Sequence, residues 1–411
     1  MGSIANYGYY NVILWKKNNR SRYCSRNILS LEFDAEDYDY LLFLKFDNDQ
    51  SYSIPNIDNL IASIELIYDQ NQTSFIVLTS RKDPPLYTAS EDELVYSFSC
   101  KFQYFKKLVS YLHKTTHLST DLLFQLLDQI SKDNSDYKGI LIRQIPFEVN
   151  SVISISDYDV IIPHRGDNQY LRNVLSFLPR TGEAEIYVGI DQGLTEDLFQ
   201  LKNGYADVSF YNFTPNPVGP YVIRNRLIDL SDNELIFFQD SDDMPCSDRF
   251  ERISEYIRKH DCQLCGSHEL RLDYYNRTVQ SIRFPLDVTS ALKSGPWHSL
   301  LHPTSAITRK AFYECGKLSE ERIFGNDTKF LLNSFFVLNS IKNINEFLYI
   351  RKKHLGSLTT SPETMIGSTI RKKLGYTWTY DFELIKNGAL KLENSSLKYE
   401  GSKLVFEVKK L

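Results

Sequence analysis

The sequence predicts an α/β protein: a mainly parallel sheet flanked by helices, preceded by a further α/β domain and followed by a short β-rich tail. Two observations predict it. From residue 157 onward, short apolar runs alternate with amphipathic stretches, as in strand–helix–strand units. Polar residues also collect where the predicted strands end, the place where open α/β sheets bind ligands.

The elements follow in order. LLFLKF (41–46) and SFIVLTS (74–80) read as strands, and the apolar spacing within 108–130 reads as helix. The polar cluster Lys132-Asp133-Asn134-Ser135-Asp136 then marks a boundary between 132 and 156. DYDVIIPHRG (157–166) is a strand running into a loop, and NQYLRNVLSFLPR (168–180) is a helix with Leu171, Val174, Leu175 and Leu178 on one face. AEIYVGIDQG (184–193) and ADVSFYNF (206–213) are strands. PYVIRNRLIDLS (220–231) is helical after its proline, and ELIFFQDSDD (234–243) is a buried strand ending in acids. Helices are expected over 248–260, 307–316 and 326–341, with a less regular stretch up to about 300. The tail beyond 376 shows β-like alternation. The expected domains are 1–150, 151–360 and 361–411, the last a helix with a β-rich extension.

Composition narrows the class. The 411 residues are 42% hydrophobic, 24% charged and 13% aromatic, too apolar for a disordered chain. The net charge of −5 disfavours a general grip on nucleic acid. No apolar run reaches the roughly 18–20 residues of a membrane-spanning helix. MGSIANYGYY lacks the layout of a secretory signal, and six cysteines are no disulfide framework, so a cytoplasmic chain is expected. The charge is uneven: residues 341–411 carry 13 Lys/Arg against 7 Asp/Glu.

Asp240-Ser241-Asp242-Asp243 is the strongest local signal. Three carboxylates after an apolar strand repel one another, and a hard divalent cation relieves that repulsion. An acidic turn capping the next helix would look the same from these residues alone.

Four segments in order, DVIIPHRGDNQYLRNVLSFL, VGIDQG, GPYVIRNRLIDL and ELIFFQDSDD, resemble the inverting family 2 glycosyltransferases of GT-A fold. The resemblance covers about 157–360. It implies that Pro163, His164 and Arg165 border the nucleotide and that Asp191 contacts its base or ribose. Gln192 and Leu194 replace the second acid and the serine of the family's Asp-Asp-Gly-Ser turn. Arg224 and Asn225 match the Arg-Asn of the family's helix. By the same resemblance Asp240 is expected to face the nucleotide sugar and share the metal, Asp242 to bind it, and Asp243 to support them.

The resemblance extends downstream. Phe324-Gly325-Asn326-Asp327 resembles the Gly-Glu-Asp segment, with Asn in place of Glu, and makes Asp327 the expected base for the acceptor hydroxyl. An acid stabilising its own helix dipole is the plainer reading of that residue. Ile350 to Thr359 resembles the Tyr-Arg-x-His-x-x-Ser segment, so His354 completes the metal shell. An imidazole tilts the choice toward Mn²⁺ over Mg²⁺. Lys352, Lys353 and Ser357 are expected to steady the diphosphate. Trp297, His298 and His302 fall where the family binds its acceptor.

Other motifs carry less. Cys262-x-x-Cys265 has no second pair for zinc, and His113 and His117 lack the glutamate of a metalloprotease helix. Arg371-Lys372-Lys373 reads as a solvated helix end with an option of peripheral contact to the inner face of a membrane. The expected activity is transfer from a nucleotide-diphosphate sugar, in first place a UDP-sugar, to a glycan, glycopeptide or glycolipid acceptor. The alternatives are a catalytically degenerate carbohydrate- or nucleotide-binding protein on the same fold and, further back, a nucleotidyltransferase. The latter wants a Gly-rich basic loop after the first strand, and Pro163-His164-Arg165-Gly166 fits it poorly.

Overall fold

The described residues build two sheets. The structure, a computed structural model, describes residues 158–411 apart from 179–183, 247–248, 274–277, 355–357 and 362–363, and before them six strands. These are β1 (Asn11–Lys16), β2 (Asn19–Ser25), β3 (Tyr40–Leu44), β4 (Phe75–Thr79), β5 (Ser97–Lys101) and β6 (Ile140–Gln144). They pair in the order β2-β1-β3-β5-β4-β6, antiparallel except for β4 with β6. Two of them are the strands expected near 41 and 74. The helix expected over 108–130 lies outside the described residues.

The second sheet begins as the predicted alternation. β7 (Tyr158–His164), α1 (Asn168–Phe177), β8 (Ala184–Ile190), α2 (Glu196–Asn203), β9 (Val208–Thr214), α3 (Pro220–Asp229) and β10 (Leu235–Phe238) follow in turn. Local chemistry starts these helices. Asp167 accepts the Gln169 amide and Thr195 the Leu198 amide, while Pro220 opens α3 with its fixed φ. Next come β11 (Met244–Pro245), α4 (Arg249–His260), β12 (Leu264–Asp273), β13 (Thr278–Ile282), α5 (Val288–Ser294), β14 (Ala306–Thr308), α6 (Arg309–Glu314), α7 (Asn326–Val337), β15 (Ile341–Lys353), α8 (Thr369–Lys386) and β16 (Glu407–Lys410).

Strands β9, β8, β7 and β10 are mutually parallel, and β14 lies antiparallel beside β10. β12 and β15 continue the sheet as a parallel pair. Numbered in chain order over these seven strands, the sequence across the sheet is 3-2-1-4-6-5-7. The helix-flanked parallel half is as the sequence predicts; the far half is mixed.

Alternation along the strands feeds two cores. Ile161, Ile236 and Phe238 point to one side, with Leu227, Phe330, Trp378 and Phe382. Val160, Ile162, Leu235 and Phe237 point to the other, with Leu171, Leu198, Phe250 and Ile253. A Cβ on Gly189 of β8 would meet Ile223 Cγ2 at 2.2 Å, so only glycine lets α3 lie this close to the sheet.

Three expectations change. The 307–316 segment splits into β14 and α6, and the helix expected to reach 341 stops at Val337, where Ile341 opens β15. The tail's alternation yields one short strand, β16, which pairs with β9; before it stands the 18-residue helix α8.

Candidate active site

The strand order reverses between β7 and β10, which places a crevice at their carboxyl ends. Asp240, Asp242 and Asp243 stand there, with carboxylate oxygens within 4.8 Å of one another. Loss of solvent and mutual repulsion act on them together. Burial raises the Asp240 carboxyl against the pull of Arg224, and raises that of Asp243 far more, with Asp242 and Asp240 adding to it. Asp242 is held below its ordinary value: burial opposes this, but His354 outweighs it.

Each acid is tied to a different element. Arg224 of α3 forms an ion pair with Asp240. His354 Nε2 lies 2.8 Å from Asp242 Oδ2, and the Lys352 amide donates to Asp243 Oδ1 at 2.7 Å. The residues fit a divalent cation. Three clustered carboxylates repel one another and offer oxygen donors, and a histidine nitrogen stands 2.8 Å from one of them.

Asp327 occupies the first turn of α7, behind Gly325 in the left-handed conformation. The Tyr221 hydroxyl donates to its Oδ1 at 3.1 Å. Burial opposes its ionised form, but it is outweighed by His302 and His298, which lend positive charge only in acid where the carboxyl itself titrates, and by the Thr328 amide and Tyr221, so the carboxyl lies below the usual range. Asp327, His298 and His302 line one pocket walled by Leu264, Leu300, Phe330 and Leu331. His302 is buried, its Nε2 has no hydrogen-bond partner among the described residues, and burial pushes its pKa down to about 3, so it is neutral at pH 7. Trp297 lies beside this pocket's lining in sequence and is 54% exposed.

The loop after β7 is closed by side chains. His164 is buried between Ser241 Oγ (Nδ1, 3.0 Å) and Asn168 Oδ1 (Nε2, 3.2 Å). Gln192 accepts the Gly166 amide and donates to Asn168 Oδ1 at 3.1 Å, so the residue replacing the second acid of the turn latches this loop. Asp191 accepts the Val218 amide at 2.7 Å and the Gly219 amide at 3.0 Å, fixing the segment that leads into α3. Pro163 is buried and Arg165 exposed.

Asn225 is fully buried. Its amide group donates to Leu318 O and Glu320 Oε1, and its oxygen accepts the Leu318 amide, so all its groups tie α3 to the 318–320 segment. Lys353 closes β15, half-buried. Ser357 lies outside the described residues.

Several site residues escape sequence reasoning. Tyr221 stands three positions before Arg224, on one face of α3, but its partner Asp327 lies 106 residues away and no local pattern announces it. Arg351 raises the positive potential near Asp243 and Asp240, yet it also answers Glu269, a long-range pairing that no local pattern announces. Tyr170 packs on the His354 ring at 4.8 Å between centroids. Buried Arg249 braces the strand end by donating to Gln239 Oε1, Phe238 O and Pro303 O.

The 3-2-1-4-6-5-7 sheet, its antiparallel sixth strand and the Asp-x-Asp after the fourth make this a GT-A-type α/β fold. No family model matches the chain, and no curated protein matches it. Among solved structures it is similar to residues 1–349 of Staphylococcus aureus TarS in complex with UDP-GlcNAc. That match has 18% identity and a TM-score of 0.44, covering 59% of this chain and 68% of that one. The same TarS fragment with UDP gives 16% identity and a TM-score of 0.41, covering 58% and 73%. For the crystal structure of S. aureus TarS the values are 17% and 0.40, and the chain spans 40% of that protein's length.

Proposed function

We propose that this protein is an inverting glycosyltransferase. It moves a sugar from a nucleotide-diphosphate sugar, in first place a UDP-sugar, onto an acceptor hydroxyl, with Asp327 as the base. The observation that carries this reading is the joint anchoring of the two acidic centres by α3. One turn of that helix holds Asp327 through Tyr221 and Asp240 through Arg224. A separation between an acidic cluster for the diphosphate and a lone carboxylate for the acceptor is what in-line transfer requires.

Asp240, Asp242, Asp243 and His354 would hold a divalent cation, manganese in first place, which when bound supplies charge neutralisation for a departing diphosphate. Arg224 fixes the Asp240 carboxylate, and Tyr170 fixes the His354 ring. Asp327 stays ionised and takes the acceptor's proton as that oxygen bonds to the anomeric carbon, when the hydroxyl becomes acidic. His302, neutral at pH 7, and His298 border the same pocket and offer hydrogen bonds to the acceptor. The acceptor, a glycan, glycopeptide or glycolipid, enters past Trp297.

A degenerate binding protein on this fold would show its departures as lost contacts. Here the departures are occupied: Gln192 latches the loop, and Asn326 donates to Ser319 O at 2.7 Å and Arg322 O at 3.1 Å. Calorimetry with UDP and manganese, followed by turnover of UDP-sugars, tests the proposal. Metal-dependent UDP affinity with turnover supports transfer, and affinity without turnover would favour the binding reading.

A further inference from the structure

α8 has two faces of opposite character. Trp378 and Phe382 are buried in the core, and Trp378 packs so closely on Gly325 that a Cβ there would meet its ring at 3.2 Å. The helix is therefore fastened to the start of α7, next to Asp327. Its outer face is unusual for a solvated surface. Ile366, just before the helix, is 70% exposed and Tyr376 75%, with Ile370 and Tyr380 also exposed. The Tyr376 and Tyr380 rings stack at 6.4 Å. Lys372 and Lys373 are exposed among them, and residues 364–380 contain no acid.

Apolar side chains at one end, tyrosines along the face and lysines between them are the arrangement of a helix lying in a lipid interface. No helix among the described residues is long and apolar enough to cross a membrane. We infer that the outer face of α8, with Ile366 at its tip, docks the protein peripherally on an anionic phospholipid bilayer. Charge decides for that occupant. The chain as a whole carries −5, so an anionic surface repels most of it and admits it through this basic end. A symmetric pair of copies through the same face would instead bring the lysines of both copies together.

Flotation of the full chain with phosphatidylcholine vesicles, with and without phosphatidylglycerol, tests this. Binding is expected only to the anionic vesicles and should weaken as salt is raised. Lys372→Gln with Lys373→Gln should lower the partition coefficient roughly thirtyfold. Ile366→Asp should lower it as well, and circular dichroism of both variants should match the wild type because all three side chains are exposed. No binding to anionic vesicles, or equal binding by wild type and both variants, would overturn the inference. So would a concentration-dependent dimer that Ile366→Asp abolishes in a protein that ignores vesicles.

Discussion

The hydroxyl of Tyr221 donates to Oδ1 of Asp327 across 3.1 Å, joining residues 106 positions apart in the chain. The bond orients the carboxylate and stabilises its ionised form, and its donor shares a helical face with the arginine that grips Asp240. Tyr221→Phe should therefore lower kcat about tenfold or more, the worth of one hydrogen bond to a charged group, with little change in KM for the donor. An unchanged kcat would show that Asp327 needs no such support.

Gln192 gives a different signature. Its side chain bridges Gly166 and Asn168, and Asn168 in turn donates to Asp197 Oδ2 at 2.8 Å. Gln192→Ala should loosen the loop and raise donor KM several-fold, about 1 kcal/mol for a lost hydrogen-bonded latch, leaving kcat near its starting value. A fall confined to kcat would contradict a loop role.

Stability should fall with acid through buried histidines. His268 is fully buried: Nε2–H donates to Asn345 Oδ1, and Nδ1 accepts the Phe284 amide. Burial, with Arg283 adding, pushes its pKa down to about 3. Between that value and an unfolded value near 6.5 the unfolded chain binds the extra proton. Stability is then fully present above about pH 6.5 and declines below it, approaching 1.4 kcal/mol per pH unit for this one group. Urea midpoints at pH 7 and 5.5 for the wild type and His268→Gln check this. The variant should lose less on acidification, and equal losses would remove His268 from the account.

The proposed metal role of the acidic cluster is open to a direct test. Asp242→Asn and His354→Gln should each raise the manganese concentration for half-maximal turnover by at least about tenfold, and chelation should abolish activity reversibly. Full turnover in excess chelator would sink the metal assignment.

The sequence makes the parallel half of the sheet legible because its strands are largely apolar runs, such as Val160 to Pro163 or Leu235 to Phe238, bounded by turn residues. β12 and β15 are hidden for a physical reason. They bury His268, Glu269, Asn343 and Lys352, which break their apolar pattern, and His268 and the Asn343 amide group find their partners far along the chain. The acids of the crevice stand out because three carboxylates in four residues are costly anywhere. Tyr221 and Arg351 do not, because only the fold reveals what they face. Asn225 illustrates the converse: a residue marked by its motif is occupied in holding α3 to the 318–320 segment.

The most direct test is UDP release from a panel of UDP-sugars with manganese, compared between the wild type and Asp327→Ala. Water can replace the acceptor in this assay, so no glycan need be known. The account predicts release by the wild type and a fall of about 10²- to 10⁴-fold in the variant, the usual worth of a general base. Unchanged release by Asp327→Ala, or no release from any donor by the folded wild type, would contradict it.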